Sequence, residues 1–384
     1  MRFEFHNPVR LIFGQGKIDQ IGKLASEQGR KALIVTSGSS GRTGTLQRVI
    51  NYLREEKMDS VVFDKVKANP LTTMAHEGAA LARDEKCDVV VGLGGGSSMD
   101  AAKAVAFMAV NEGDVSDYIY GKPGNGALPL VLITTTAGTG SEGNCAGVLT
   151  NPETKDKKAI RSPYLYAKAS IVDPELFVTL PQRSVSGPGL DALFHSIESY
   201  ISKKSNPMTE MMALQAVSLL TANLPRVYKN VRDIEAWEKV AWANTLAGMA
   251  IDASGTTLPH ALEHPISGLL NITHGEGLAA VFPTIMQFTY KAAPQKFAVL
   301  AQSMGANTVG MSLEEAAAKS VECIKSILQS VGMTPSLGEL GVTEEHLDWL
   351  TGNALKTMKA NIENNPKVPT KAEIRMIYHR SLTK

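Results

Sequence analysis

The sequence predicts an α/β first part built on a parallel sheet and an all-α second part, dividing into residues 1–181 and 182–384. Three observations carry this. Up to about Pro181, short apolar runs alternate with helical patterns of roughly 10–15 residues, the signature of βαβ units. Two of those runs end in glycine-rich turns. Beyond Pro181, strand-like runs become rare and long Ala/Leu/Met-rich segments with helical spacing take over.

Taken in order, Phe3, Phe5, Val9, Leu11 and Phe13 fall on alternate positions before Gly14-Gln15-Gly16. That spacing predicts a strand or hairpin with an exposed edge. A helix over 18–28 leads to an apolar run at 32–35, bounded by Ser37-Gly38-Ser39-Ser40-Gly41. Helices over 45–56, 72–85 and 101–110 precede strands at 60–63, 88–92 and 128–134. The second part reads as helices over 189–203, 208–223, 234–254, 295–304, 313–331, 343–358 and 371–381.

Composition is that of an ordinary globular chain, 43% hydrophobic and 20% charged. Lys plus Arg is 39 against 38 for Asp plus Glu, leaving a formal charge of +1. No global field draws such a chain to nucleic acid, a membrane surface or polyanions, so neither nucleic acid nor membrane is expected as a partner. Cys87, Cys145 and Cys323 are far apart and form no CxxC, which indicates neither a disulfide framework nor a thiolate metal site. The N-terminus lacks an apolar signal core, and a cytoplasmic address is expected.

The first glycine-rich turn is Gly92-Leu-Gly94-Gly95-Gly96-Ser97-Ser98-Met99-Asp100, running into Lys103. Glycines admit a ligand close to the backbone, and a helix N-terminus offers unpaired N–H groups to a pyrophosphate. Ser97 and Asp100 have capping-box spacing. The GxGxxG pattern is not fully met, because Ser97 stands at its last glycine, and no Walker GKS/T is present. The second turn is Thr134-Thr135-Thr136-Ala137-Gly138-Thr139-Gly140-Ser141-Glu142, whose hydroxyls suit a ribose, a phosphate or a carboxamide. Either turn alone is ordinary loop chemistry. Two at the carboxyl ends of strands in one sheet point to a nucleotide.

Four histidines sit in motif-like settings. Asp191 and His195 are i,i+4 neighbours, which puts both on one helix face. His260 and His264 repeat that spacing, and His274 follows before Gly275. Imidazoles with one carboxylate form a set suited to Fe²⁺ or Zn²⁺. His260-x-x-Glu263-His264 also matches the HxxEH pattern of inverted zinc proteases, a remote alternative that leaves both glycine turns unexplained. Pro265 is expected to interrupt a helix there.

The ordered motifs Gly94-Gly-Gly-Ser97-x-x-Asp100-x-x-Lys103, Thr135-Thr-Ala-Gly-Thr-Gly-Ser-Glu142, Asp191-x-x-x-His195, His260-x-x-x-His264-Pro265, His274-Gly275 and Asn365-Pro366-Lys367 resemble those of iron-containing (group III) alcohol dehydrogenases. Lys31-Ala-Leu-Ile-Val-Thr36 and Ala68-Asn69-Pro70 fit as well, and the resemblance spans essentially the whole chain. It implies a Rossmann-like nucleotide-binding α/β domain and a helical metal- and substrate-binding domain, the dehydroquinate synthase-like architecture. It implies metal ligation by Asp191, His195, His260 and His274, with His264 beside the metal as a catalytic proton relay. Gly95, Gly96, Ser97 and Ser98 would hold the pyrophosphate. Ser37, Asn69, Asp100, Thr135, Thr136, Thr139 and Lys158 would complete the cofactor site. The implied activity is NAD(P)-linked interconversion of a small primary alcohol and its aldehyde, in a homodimer or larger homo-oligomer. Four protein ligands leave no free tetrahedral corner, which favours Fe²⁺ with Zn²⁺ as the second choice.

Two positions depart from the family pattern. Ser37 and Gly38 stand where NAD-preferring members carry a carboxylate for the ribose 2′-hydroxyl, and Arg42 follows closely, so NADP is favoured, with NAD the alternative. Gly143-Asn144-Cys145 replaces a more usual Val-Thr after Glu142. Glycerol, propanediol or hydroxy-acid dehydrogenation within the same superfamily is the alternative activity. The full Asp–His–His–His set argues against a glycerol dehydrogenase, and Asp191 argues against a dehydroquinate synthase, which has Glu there.

Overall fold

The structure, a computed structural model, describes residues 2–383. The chain folds as two compact units: Asn7–Leu180, and the chain from Pro181 onward together with the residues before Asn7.

The first unit is a six-stranded parallel sheet. Its strands are β1 (Arg10–Phe13), β2 (Lys31–Thr36), β3 (Asp59–Phe63), β4 (Val89–Gly94), β5 (Leu130–Thr134) and, after a hairpin of β6 (Ala146–Thr150) and β7 (Lys157–Arg161), β8 (Ala169–Val172). The order across the sheet is β1-β8-β5-β4-β2-β3. Alternate residues of the central strands feed two cores. Leu33, Val35, Val90, Leu130 and Leu132 pack on one face. Ala32, Ile34, Val89, Val91, Val131 and Ile133 pack on the other. Burial on both faces is why these strands read as unbroken apolar runs.

Chain order reverses between β2 and β4. The chain leaves β2 for β3 on one side, then returns to build β4, β5 and β8 on the other. A crevice at the carboxyl ends of neighbouring strands forms at such a reversal, the usual ligand position in open α/β sheets. Ser37 follows β2 directly and Gly95 follows β4 directly.

The N-terminal expectation is corrected. Only Arg10–Phe13 is strand, paired in parallel with β8 at the sheet edge, and no hairpin forms. The alternation of Phe3 and Phe5 therefore carried no sheet.

The second unit is helical. The helix Ile234–Ser254 has the bounds its spacing predicts. Ser312/Glu315 and Thr370/Glu373 form capping boxes that start Leu313–Ser330 and Lys371–Arg380. Pro265 does not interrupt its helix, which runs Leu258–Leu270. The lost N–H leaves the Ala261 carbonyl without its helical donor, and the neighbouring Leu262 carbonyl accepts from Tyr378 Oη at 2.7 Å. Apolar residues from this helix, from His274–Thr289 and from the C-terminal helices share one core. Among the described residues, no helix is long and apolar enough to cross a membrane.

Candidate metal centre and cofactor turns

The two turns meet. Gly94 adopts φ +142°, which admits glycine far more readily than any other residue, and turns the chain from β4 into the helix Gly96–Met108. A Cβ on Gly95 would lie 2.6 Å from Thr136 Oγ1, and one on Gly96 would lie 2.2 Å from Thr139 Cγ2. Only backbone fits between the helix N-terminus and the threonine turn. The Thr135 amide donates to the Gly94 carbonyl at 3.0 Å, tying the turns together. The first N–H groups of this helix have no intrahelical carbonyl to meet, and Gly95, the residue before it, has no side chain to cap them. This corrects the capping box expected at Ser97 and Asp100, because the helix starts at Gly96 and both residues lie inside it.

Ser97 is half-buried in this turn and Ser98 is buried. Asp100 is turned inward. It is 6% exposed and points into the protein, where Oδ1 accepts from Ser141 Oγ at 2.7 Å and Oδ2 from the Val148 amide at 3.0 Å. Burial pushes its carboxyl up from the ordinary value, against the nearby Lys103 charge and the Ser141 hydroxyl. Lys103 is fully buried, and its ammonium reaches Ser141 O and Oγ, Asn144 O and Oδ1, and Ala146 O at 2.7–2.9 Å. Asp100 and Lys103 together strap the threonine turn and its continuation onto the first helix, so the Asp100 carboxylate is engaged in positioning that turn.

Ser37 is extended, and its Oγ shares a hydrogen bond of 2.7 Å with Ser39 Oγ. The space a Gly38 side chain would take lies 3.4 Å from Arg42 Nη1, so the guanidinium borders the end of β2. Asn69 has φ +48° and accepts from Lys157 Nζ at 3.1 Å. Lys158 Nζ sits 4.9 Å from the centre of the Tyr120 ring, whose hydroxyl donates to Asp156 at 2.5 Å.

The histidine cluster is built by three helices: Arg183–Ile201 with Asp191 and His195, Leu258–Leu270 with His260 and His264, and His274–Thr289, which begins at His274. Asp191 Oδ1 is the common point. It lies 3.3 Å from His260 Nε2, 3.7 Å from His274 Nε2 and 3.7 Å from His195 Nδ1. Donor atoms of Asp191, His195 and His260 fall within 4.8 Å of one another. On its far side, His260 Nδ1 meets Glu198 Oε1 at 2.5 Å, and His274 Nδ1 meets the Glu263 carboxylate. An Nδ1–H held by a carboxylate turns Nε2 toward the Asp191 oxygen, where it offers a ligand lone pair once its proton gives way to a metal ion.

Charge supports the same conclusion. Burial would lower His260, but Glu198 and Asp191 outweigh it and push it up to about 10. Burial lowers His195 to about 4 despite the pull of Asp191, leaving its lone pair available. Burial would raise the Asp191 carboxyl, but His195, His274 and His260 hold it well below the usual carboxylate range. These carboxylates favour positive charge where the imidazoles converge: the His260 imidazolium supplies it here, and a divalent metal ion displacing that proton would supply it with an N/O ligand set. Asp191, His195, His260 and His274 fit it.

His264 is buried beside the cluster, its ring centre 6.0 Å from that of His260 and 5.5 Å from that of His274. Glu263 cannot act as a protease base. It is fully buried and is held by His274 Nδ1 and the Ser267 hydroxyl. Glu198 and Glu263 are the functional residues that sequence reasoning missed in this role. The available signal was Glu198 three residues after His195, and Glu263 between two histidines.

A doubly wound sheet with paired anion-suited turns, and a buried Asp–His₃ cluster, define a nucleotide-linked metal oxidoreductase as the class. The chain belongs to the iron-containing alcohol dehydrogenase family. The model of that family matches residues 8–174, and the family's C-terminal model matches residues 186–382. An NAD-dependent methanol dehydrogenase from Bacillus methanolicus is 34% identical over 98% of this chain and 99% of its own. A 1,3-propanediol dehydrogenase from Klebsiella pneumoniae is 35% identical, covering 99% and 98%. The crystal structure of an archaeal halo-thermophilic alcohol dehydrogenase from a Red Sea brine pool superposes with a TM-score of 0.96, at 35% identity over 99% of both chains. The chain is accordingly an oxidoreductase of the alcohol dehydrogenase class.

Proposed function

We propose that this enzyme interconverts a small primary alcohol and its aldehyde by hydride exchange with a nicotinamide cofactor, using NADP(H) in preference to NAD(H) and Fe²⁺ in preference to Zn²⁺. The observation that carries the reading is the convergence of three imidazoles on Asp191 Oδ1, two of them backed by buried carboxylates. Asp191, His195, His260 and His274 would hold the metal. When bound, it supplies Lewis acidity that lowers the pKa of an alcohol oxygen and polarises an aldehyde carbonyl.

The protein's own groups do the rest. Amides at the start of the helix Gly96–Met108, with Ser97 and Ser98, take the pyrophosphate. Thr135, Thr136 and Thr139 orient the nicotinamide half, with Asn69 and Lys158 contributing at its margin. Ser37 leaves room for a ribose 2′-phosphate, and Arg42 supplies its charge partner. His264 takes the hydroxyl proton at a ring nitrogen and passes it toward solvent. Relatives named for methanol and 1,3-propanediol support a small substrate and keep a diol as the second reading. The edge strand β1 supports pairing into a homodimer, and a cytoplasmic location completes the proposal.

The test is a panel of primary alcohols, diols and hydroxy acids, with their aldehydes, assayed with NADH and NADPH on metal-depleted protein restored with Fe²⁺ or Zn²⁺. Activity is expected only after metal is restored, highest with Fe²⁺ and NADPH. S37D is expected to shift cofactor preference toward NADH by about tenfold or more. Full turnover without metal, or an NADPH preference unmoved by S37D, overturns the corresponding part.

A further inference from the structure

The helix that begins at His274 has a second use for its far half. Ala279, Ala280, Pro283, Thr284, Gln287 and Phe288 line a cavity of about 580 Å³ within the helical unit, facing residues of Leu313–Ser330 and Lys371–Arg380. That volume is in the range of small-molecule sites, roughly 300–1,000 Å³. Its floor is apolar: Ala279, Ala280, Leu328 and Ile377 are all buried. Two cations, Lys325 and Arg380, line it as well and are exposed. Among the described residues, no carboxylate lines it and neither cation has an ion-pair or hydrogen-bond partner. Elsewhere in this unit lysines and arginines commonly pair with neighbouring acids, as Arg375 does with Asp348 and Lys296 with Glu210.

We propose that this cavity is a binding site for an aliphatic monocarboxylate, with the carboxylate on Arg380 and Lys325 and the chain on the apolar floor. An arginine fork matches a carboxylate in two parallel hydrogen bonds. The hydroxyls of Thr284 and Ser381, 3.2 Å apart in the same wall, offer further polar contact. An inorganic anion would leave the floor uncovered, and a neutral alkane or alcohol would leave both cations without a partner. Only a molecule with both halves uses the whole cavity. The site is separate from the metal cluster and does not depend on the reaction proposed above.

The probe is octanoate, titrated calorimetrically into the metal-loaded, full-length protein, with octanol and inorganic phosphate as the other arms. The double variant K325Q/R380Q changes only exposed side chains outside the catalytic machinery, and its thermal melting checks the fold. Saturable octanoate binding is expected, weakened about tenfold or more in the folded double variant. Octanol and phosphate are each expected to bind at least tenfold more weakly than octanoate. Octanoate affinity unchanged in the double variant overturns the proposal, because the carboxylate then binds elsewhere, the active site included. Octanol binding as tightly as octanoate overturns the role of the cations. Phosphate binding as tightly overturns the role of the floor. The charge-keeping R380K variant is expected to weaken octanoate binding, because a lysine cannot reproduce the arginine fork, but less than K325Q/R380Q does; affinity equal to the parent's overturns the fork, and a loss as large as the glutamine pair's overturns the role of charge.

Discussion

Glu198 and Glu263 determine which nitrogen two of the cluster's histidines turn inward. Glu198 accepts from His260 Nδ1 at 2.5 Å and from the Thr257 amide and hydroxyl at 2.7 and 3.2 Å, so its position is fixed from two sides. A glutamine there keeps the shape but presents a neutral amide, whose NH₂ would leave His260 without a reliable acceptor. Supporting carboxylates of this kind change metal affinity by about 10–100-fold when removed. E198Q is therefore expected to lose metal at a correspondingly lower chelator concentration, with helical content unchanged. The measurement is metal content by mass spectrometry after dialysis against graded chelator. Retention equal to the parent would show that the carboxylate does not orient the imidazole. At this scale the candidate ligands were readable as neighbours, because i,i+4 spacing puts Asp191 and His195 on one face. Their supports were not, since a single glutamate on a helix is ordinarily a solvated surface residue.

At the scale of elements, contact between the two turns depends on missing side chains. With a Cβ on Gly96 only 2.2 Å from Thr139 Cγ2, G96A must push the threonine turn away from the helix N-terminus. The strap from Lys103 and Asp100 resists that movement, so the strain falls on the turns. G96A is expected to raise KM for the nicotinamide cofactor by about tenfold or more while metal content stays at the parent level. An unchanged KM in the folded variant would mean that cofactor does not use this turn. The glycines and the strand before them were legible as a buried run into a turn. The helix start was not, because Gly and Ser have low helix propensity and masked the first turn before Ala101. The hairpin of β6 and β7 was missed in a stretch with no clear two-residue alternation. Helices Leu258–Leu270 and His274–Thr289 contain Pro265 and Pro283 and bury residues on nearly every side, so neither showed an amphipathic stripe. They carry two of the four proposed ligands and the relay candidate. The histidine spacing was readable there before the helices that hold it.

For the whole molecule, a formal charge of +1 leaves anion recognition to local groups: helix-terminal amides, Arg42 beside the end of β2, and Lys325 with Arg380 at the helical cavity. The two main functions are also divided between the units. Every residue proposed for the cofactor lies in Asn7–Leu180, and every proposed metal ligand lies after Pro181. Stabilisation by a ligand that binds only the folded state grows with ligand excess, to about 4.1 kcal/mol at a thousandfold over Kd. Metal bound by three helices should therefore stabilise the helical unit, and its removal leaves the buried Asp191 and Glu198 carboxylates with only the His260 imidazolium between them. Scanning calorimetry of the full chain with and without chelator should show a transition that falls in temperature on metal removal and returns with Fe²⁺. NADPH should still raise a transition of the chelated protein, because the glycine and threonine turns contain no metal ligand. If chelation also abolishes the NADPH-induced shift, the metal cluster and the cofactor turns do not act as separable sites, and the division of function between the units fails.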